Sequence, residues 1–376
     1  MKTYKHLFEQ VVSEENIRQA IEEAAKGKRE RRDVKRVLNN IDFHVERVQK
    51  LLISEGYSAH IDRVCVINEG THMKVRRIRK PHFKYDQIIH HAVIQVLEPI
   101  LMKPMYEMSC GSIPGRGSHY GRKRIEKWIR SDIKNTKYVF KMDIKHFYES
   151  VDKDILKAML QKKIKDWRML KLLFEIIDGC ERGLPLGNYT SQWFANFMLT
   201  QLDHHIKEQL KAKYYVRYMD DIVIFGANKK RLHEIHREIE EYLRKEFHLR
   251  IKENWQVFRF EHVSKKNGKV HGRDLDFMGF RFKRNRTILR RSIHYRITRK
   301  ARRVAKHTTI QGAYGMVSYM GYIKNTDSYT VYENYIRPFV NIGKLKKFIS
   351  VRKKKEAIRY ENYMANRNRN ASRSST

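Results

Sequence analysis

Apolar positions recur at helical spacing over the first hundred residues. Ile17, Ala20, Ile21, Ala24 and Ala25 share one face, and Val45, Val48, Leu51 and Leu52 share another. Between Tyr85 and Leu101, Ile88, Ile89, Ala92, Val93, Val96 and Leu97 line a third. Each stripe predicts an amphipathic helix. The pattern breaks at Gly111–Gly121, where four glycines and a proline predict a loop. Helical spacing resumes from Ile125 to Ile133. Tyr138–Ile144 then reads as an apolar strand carrying Asp143 near its end. Ile155, Leu156 and Met159 predict a helix, as do Leu170–Ile177 and the apolar run Ser191–Leu202, the last preceded by a turn at Gly183–Gly187. Tyr214–Val216 and Ile222–Phe225 predict two strands joined by a very tight turn. A charged helix follows over Lys229–Phe247, then strands over Trp255–Phe260 and Leu275–Phe282. The remainder is basic, with helices near Ile297–Val304 and Val331–Phe348. The polar tail after Val351 is expected to be disordered without a partner.

Charge changes this picture most. The chain has 376 residues and a formal net charge of +38, from 80 Lys+Arg against 42 Asp+Glu. Solvation does not require such an excess, so a polyanionic partner is implied, most simply nucleic acid. No run of about 18 apolar residues and no apolar N-terminal segment is present, so the expectation is an intracellular protein with no membrane role. Cys65, Cys110 and Cys180 are far apart and lack Cys-x-x-Cys spacing, which argues against a zinc site or disulfide framework.

Against this background the turn Tyr218-Met219-Asp220-Asp221 stands out. Two adjacent carboxylates in a partly buried hairpin are unfavourable unless a cation neutralises them. Asp is also a good turn residue, so turn chemistry alone is the competing explanation. The element order allows Asp143 to lie opposite Asp220 on neighbouring antiparallel strands. Three carboxylates on one sheet surface can hold two Mg²⁺ ions about 3.5–4 Å apart, the arrangement used for in-line phosphoryl transfer.

These residues resemble reverse transcriptase motifs. Asp143-Ile144-Lys145-His146-Phe147-Tyr148 is similar to motif A, and Tyr218-Met219-Asp220-Asp221 to motif C. Gly183-Leu184-Pro185-Leu186-Gly187-Asn188-Tyr189-Thr190-Ser191-Gln192 resembles motif B. Leu249–Gln256 sits where motif D belongs, and Leu275–Phe280 resembles the primer-grip motif E. The variant box Leu186-Gly187-x-x-x-Ser191-Gln192, the glycine loop and Asn254-Trp255-Gln256 resemble the reverse transcriptases of diversity-generating retroelements.

The resemblance implies an α+β right-hand polymerase. Fingers with an N-terminal helical extension would span 1–135, the palm 136–283, a basic helical thumb 284–350 and the tail 351–376. It implies an RNA-directed DNA polymerase that copies a template-repeat RNA into cDNA with errors at adenines, diversifying a target gene. Template RNA, cDNA or primer, dNTPs and a small basic accessory protein are the implied partners, for a cytoplasmic protein that is bacterial or phage-encoded. Asp143, Asp220 and Asp221 are the expected catalytic and metal residues, with Asp221 the weakest ligand of the three.

Tyr148 would exclude a ribose 2′-hydroxyl, although a core aromatic is the plainer alternative. Arg77 and Lys80, within the cluster Arg76–Lys80, would meet the triphosphate. Leu186, Gly187, Gln192 and Lys252 complete the expected nucleotide site, Lys252 as a proton donor to pyrophosphate. Leu186 could equally be a packed core leucine. Tyr218, Met219, Met278, Gly279 and Arg116 would touch primer or template. Basic residues interleaved with Tyr295, Tyr314, Tyr319, Tyr322, Tyr329, Tyr332 and Tyr335 suit nucleic acid, although most of these tyrosines are expected to pack a helical bundle. His90-His91 and His204-His205 are expected on helix surfaces or at nucleic acid. A group II intron-, retron- or phage-defence-type reverse transcriptase, and an inactive basic RNA-binding scaffold, are the alternatives.

Overall fold

The structure, a computed structural model, describes residues 2–59, 63–69, 74–264, 266–355 and 358. It divides into two units, Met1–Gly121 with Asp132–Phe258, and Arg122–Ser131 with Arg259–Thr376. The architecture is mixed helix and strand, with antiparallel strand pairs.

In the first unit the predicted stripes become helices Glu14–Ala25, Ile41–Ile53 and Ile88–Met102, which bury those positions in one core. Ser13 caps the first helix by accepting from Asn16 N at 3.3 Å. Strands β1 (Arg63–Glu69) and β2 (Lys74–Lys80) form an antiparallel hairpin.

The central sheet contains β3 (Tyr138–Asp143), β4 (Tyr214–Tyr218), β5 (Asp221–Gly226) and β6 (Gln256–Arg259), in the order β4-β5-β3-β6. The interiors of β4 and β5 are continuously buried rather than alternating, as expected where both sheet faces are covered. Helix Lys229–Phe247 packs on β3 and β5 through Leu232, Ile235, Ile239, Leu243 and Phe247. Burying each such side chain stabilises by about 1.5–3 kcal/mol. Asn228 caps this helix, and Asp152 and Asp166 cap Lys153–Lys163 and Trp167–Asp178. The other Asp166 oxygen accepts from Leu7 N and Phe8 N at 2.7 and 2.8 Å, anchoring the N-terminal segment.

Several elements differ from the periodicity. Helix Ser118–Ser131 starts inside the expected glycine loop, with Gly121 N donating to Gly117 O at 3.1 Å. Glycine lowers helix propensity by about 1 kcal/mol per residue, and burial of Ile125 and Ile129 overrides it. The Ser191–Leu202 run is two helices, Tyr189–Met198 and Thr200–His204, parted at Leu199. The histidines divide. His90 is buried rather than on a surface, and His91 and His205 are half-buried, stacked on Tyr189 and Tyr242, whereas His204 is exposed on its helix as expected, bonding Glu208 and the Pro104 carbonyl.

In the second unit, β7 (His262–Val263) pairs with β8 (Val270–His271). The expected single strand Leu275–Phe282 is a hairpin of β9 (Leu275–Phe277) and β10 (Phe280–Phe282), with β11 (Thr287–Leu289) beyond. Helices Arg291–Lys306 and Ile310–Lys324 enclose a separate core of Ile297, Ala301, Val304, Ala313, Met316 and Ile323. Three glycines dilute the apolar signal of the second helix, which the periodicity did not reveal. The Val331–Phe348 stretch is broken. Helix Tyr329–Tyr335 ends before Pro338, and another begins at 342. That helix continues through 351–355, where a tail was expected; residues 356–357 and 359–376 lie outside the described residues. Tyr319, Tyr322 and Tyr332 pack on this core, whereas Tyr295, Tyr314, Tyr329 and Tyr335 are exposed, so fewer tyrosines pack than expected. Among the described residues no helix is long and apolar enough to cross a membrane.

Candidate active site

Strands β4 and β5 are joined by a two-residue turn, Met219-Asp220, flanked by the pair Tyr218↔Asp221. This corrects the expected register. Asp220 lies in the turn rather than on a strand, and Asp221 is the residue opposite Asp143. Asp220 still reaches β3. Its carbonyl accepts from Ile144 N at 3.3 Å, and its carboxylate interacts with that of Asp143. Met219 has φ 57°, in the left-handed region, where a non-glycine residue costs on the order of 1–3 kcal/mol.

Burial pushes the Asp220 carboxyl up to about 7, and the charges of Asp143 and Asp221 push in the same direction. Lys252 lies on the other side of Asp143. Its N–H donates to the Asp143 carbonyl at 2.9 Å, and its Nζ is 3.4 Å from Asp143 Oδ2. The segment around Arg250 is stitched to the end of β3 by Lys145 N donating to Arg250 O at 2.8 Å.

These groups line one open cleft of about 710 Å³, with Asp143, Asp220, Asp221, Tyr148, Leu186 and Lys252 on its walls. Tyr148 is half-buried, and burial, followed by the Asp220 charge, raises the pKa of its phenol. Leu186 is held from outside, because its carbonyl accepts from Arg79 N of β2 at 2.7 Å. Gly187 has φ 113°, and a Cβ there would strike the Arg79 carbonyl oxygen. Only glycine lets the two backbones meet here.

Other expected residues stand apart from the cleft lining. Gln192 and Lys80 are exposed, and Arg116 donates to the Tyr106 carbonyl at 2.9 Å. The Arg77 side chain lies outside the described residues. Tyr218 is half-buried against the core, and Met219 is buried. Met278 and Gly279 form the β9–β10 turn of the second unit. Behind the Met219-Asp220 turn is a group that motif spacing missed, the fully buried ion pair Arg217–Asp203 at 2.6 Å. A basic residue in the middle of the apolar run Tyr215–Tyr218 was the available signal.

Among the described residues, no three His, Cys, Asp or Glu side chains converge as a complete metal cage. The donor set nevertheless fits Mg²⁺. Hard oxygen ligands are clustered where burial opposes their charge, and Mg²⁺ commonly takes one or two carboxylates with substrate phosphates supplying the rest.

Residues 72–282, more than half of the chain, match the family model described as reverse transcriptase (RNA-dependent DNA polymerase). The chain belongs to the reverse transcriptase family. Members of this family generally use divalent metal ions. The group II intron-encoded protein LtrA of Lactococcus lactis subsp. cremoris is 26% identical over 186 residues, covering 46% of this chain and 30% of LtrA. The retron Ec73 reverse transcriptase of Escherichia coli is 25% identical over 202 residues, covering 45% of this chain and 62% of that enzyme. The chain thus spans less than two thirds of either relative. Apo telomerase from Candida tropicalis superposes at a TM-score of 0.45 and 15% identity, covering 59% of this chain and 53% of the telomerase chain.

Proposed function

We propose that this reverse transcriptase family member is an active RNA-directed DNA polymerase, working at the Asp143–Asp220 cleft. The observation that carries this reading is the meeting of two strained features on one hairpin. A half-buried carboxyl is raised to about 7, and a left-handed methionine sits beside it in a cleft also lined by Tyr148, Leu186 and Lys252. In the reaction the primer 3′-oxygen attacks the α-phosphorus of a dNTP. The new O–P bond forms as the bond to the bridging oxygen breaks, and pyrophosphate leaves. Asp143 and Asp220 would hold Mg²⁺, with Asp221 assisting. When bound, Mg²⁺ lowers the pKa of the attacking hydroxyl and neutralises charge on the leaving group. Lys252 supplies a proton to the pyrophosphate, Arg77 and Lys80 attract the triphosphate, and the Tyr148 ring excludes a 2′-hydroxyl. We assign fingers, palm, thumb and tail to 1–135, 136–283, 284–350 and 351–376.

We further propose that the enzyme belongs to a diversity-generating retroelement, copying a template-repeat RNA with errors at adenines, aided by a small basic accessory protein. What supports this is Leu186 on the cleft wall within the Leu-Gly-x-x-x-Ser-Gln box. An aliphatic side chain there makes no hydrogen bond to a mispaired base and so applies no polar check. Gln192 belongs to the same box, and its exposure suits contact with template rather than with the cleft. The intron- and retron-encoded relatives favour a second reading, an accurate polymerase of those lineages.

Primer extension on an adenine-containing RNA with Mg²⁺ and dNTPs, with and without the accessory protein, distinguishes the two. Errors concentrated at adenines, and suppressed by Leu186→Gln, are expected. Accurate copying moves the enzyme to the second reading. Extension by neither wild type nor complex would leave a basic RNA-binding scaffold.

A further inference from the structure

The Arg217 guanidinium is fully buried, and all five of its N–H donors are used. Nε donates to Asp203 Oδ1 at 2.7 Å, and Nη2 to Asp203 Oδ2 at 2.6 Å and Ser109 Oγ at 3.1 Å. Nη1 donates to Asn196 Oδ1 at 2.9 Å and to the Met219 carbonyl at 3.1 Å. The last bond ties the network to the catalytic turn. Asn196 reinforces it from the motif B helix, its Nδ2 donating to the Gly111 carbonyl at 2.8 Å and lying 3.4 Å from Met219 Sδ. Gly111 closes the other side, since a Cβ there would lie 2.6 Å from Met219 N. Met219 is therefore held at its carbonyl and its sulfur, with the Gly111 backbone packed close against its nitrogen.

A buried ion pair is weak evidence for stability, because well-packed apolar residues often replace one without loss. A turn residue in an unfavourable conformation persists only where its surroundings over-determine it. We infer that Arg217 is a positioning residue whose fork, aligned by Asp203, holds the Met219 peptide left-handed and thereby sets Asp220 against Asp143. This rests on the polymerase reading for its kinetic consequence but not for its structural one. Lysine has no planar fork and cannot reproduce the five bonds.

The test compares Arg217→Lys and the double variant Arg217→Met/Asp203→Leu with wild type. The double variant removes both charges together and so avoids an orphaned buried carboxylate. Three quantities are read: the thermal midpoint, kcat and KM for dNTP in primer extension, and hydrogen exchange of peptides covering 214–226. The double variant also strips the acceptor from the buried Tyr215 and Ser109 hydroxyls, so its thermal midpoint should fall modestly. At a temperature where it stays folded, kcat should fall about 100-fold, as a misplacement near 1 Å can produce. Its KM for dNTP stays within about threefold of wild type. Exchange accelerates at the turn alone. A double variant with wild-type kcat and exchange overturns the inference. So does a kcat loss that merely follows the loss of thermal stability across the variants. Should wild type itself fail to extend primers, the polymerase reading fails, and turn-specific exchange in the double variant still decides the role of Arg217.

Discussion

Two hairpins of this chain share a design and differ in one residue. Each has a two-residue turn beginning with a left-handed methionine, Met219 at φ 57° and Met278 at φ 51°. In the β9–β10 turn the second residue is Gly279 at φ 87°, so both central residues have positive φ, as in a mirror-image turn that matches strand twist. In the β4–β5 turn the second residue is Asp220, which does not take positive φ. The first turn is largely specified by its own sequence. The second gives up that local solution for a carboxylate and is held by residues distant in sequence, Ser109, Gly111, Asn196 and Asp203. The β9–β10 turn is thus stabilised from within, and the β4–β5 turn from outside.

On the proposed reading, the largest effect expected from breaking the Met219-Asp220 turn is loss of chemistry. Asp220→Asn should lower extension at least about 10³-fold, the value of several kcal/mol of lost charge stabilisation. The same change should stabilise the metal-free fold. The folded pKa of Asp220 is raised above that of an unfolded aspartate near 4, so wild type loses stability as pH rises from about 4 through 7. Urea unfolding in chelator should therefore show Asp220→Asn ahead of wild type by about 2–4 kcal/mol at pH 8, with the gap closing toward pH 4. A gap independent of pH would show that Asp220 is not the titrating group.

Next comes Gly111→Ala, which intrudes on Met219 N from outside the turn. It should reduce kcat about 10²-fold with little change in primer–template affinity. Single-turnover extension and a binding titration read the two separately. Tyr148→Ala tests the cleft rather than the turn, and should cut discrimination between dNTP and NTP by roughly 10–100-fold in competition assays.

The smallest effect is expected in the other hairpin. Gly279→Ala strains a positive φ and brings Cβ to 2.7 Å from Ile293 Cδ1, costing about 1–2 kcal/mol in urea unfolding. If it lowered kcat as far as Gly111→Ala does, the distinction between the two turns would fail.

Much of this fold was legible in the residue pattern. Where period and length were both clear, elements formed as expected, as with helix Lys229–Phe247 and strand β3 ending on Asp143. The β4–β5 hairpin was legible because β-branched and aromatic runs flank a short polar pair. Glycine-rich helices such as Ile310–Lys324 were not legible, because low propensity hides a buried stripe that only tertiary contact rewards. The β9–β10 turn escaped notice because a methionine was not expected at positive φ.

Tertiary structure alone decided the rest of the site. Whether Asp143 faces Asp220 or Asp221 depends on a one-residue register, which periodicity of two cannot resolve at a turn. That Arg217 is buried and spoken for, and that Leu186 hangs from the backbone of Arg79, depends on residues as many as 108 apart in the chain. Local patterns state which residues can carry a charge or form a strand. The cost of burying that charge, and what stabilises it, is set by neighbours that only the folded chain brings together.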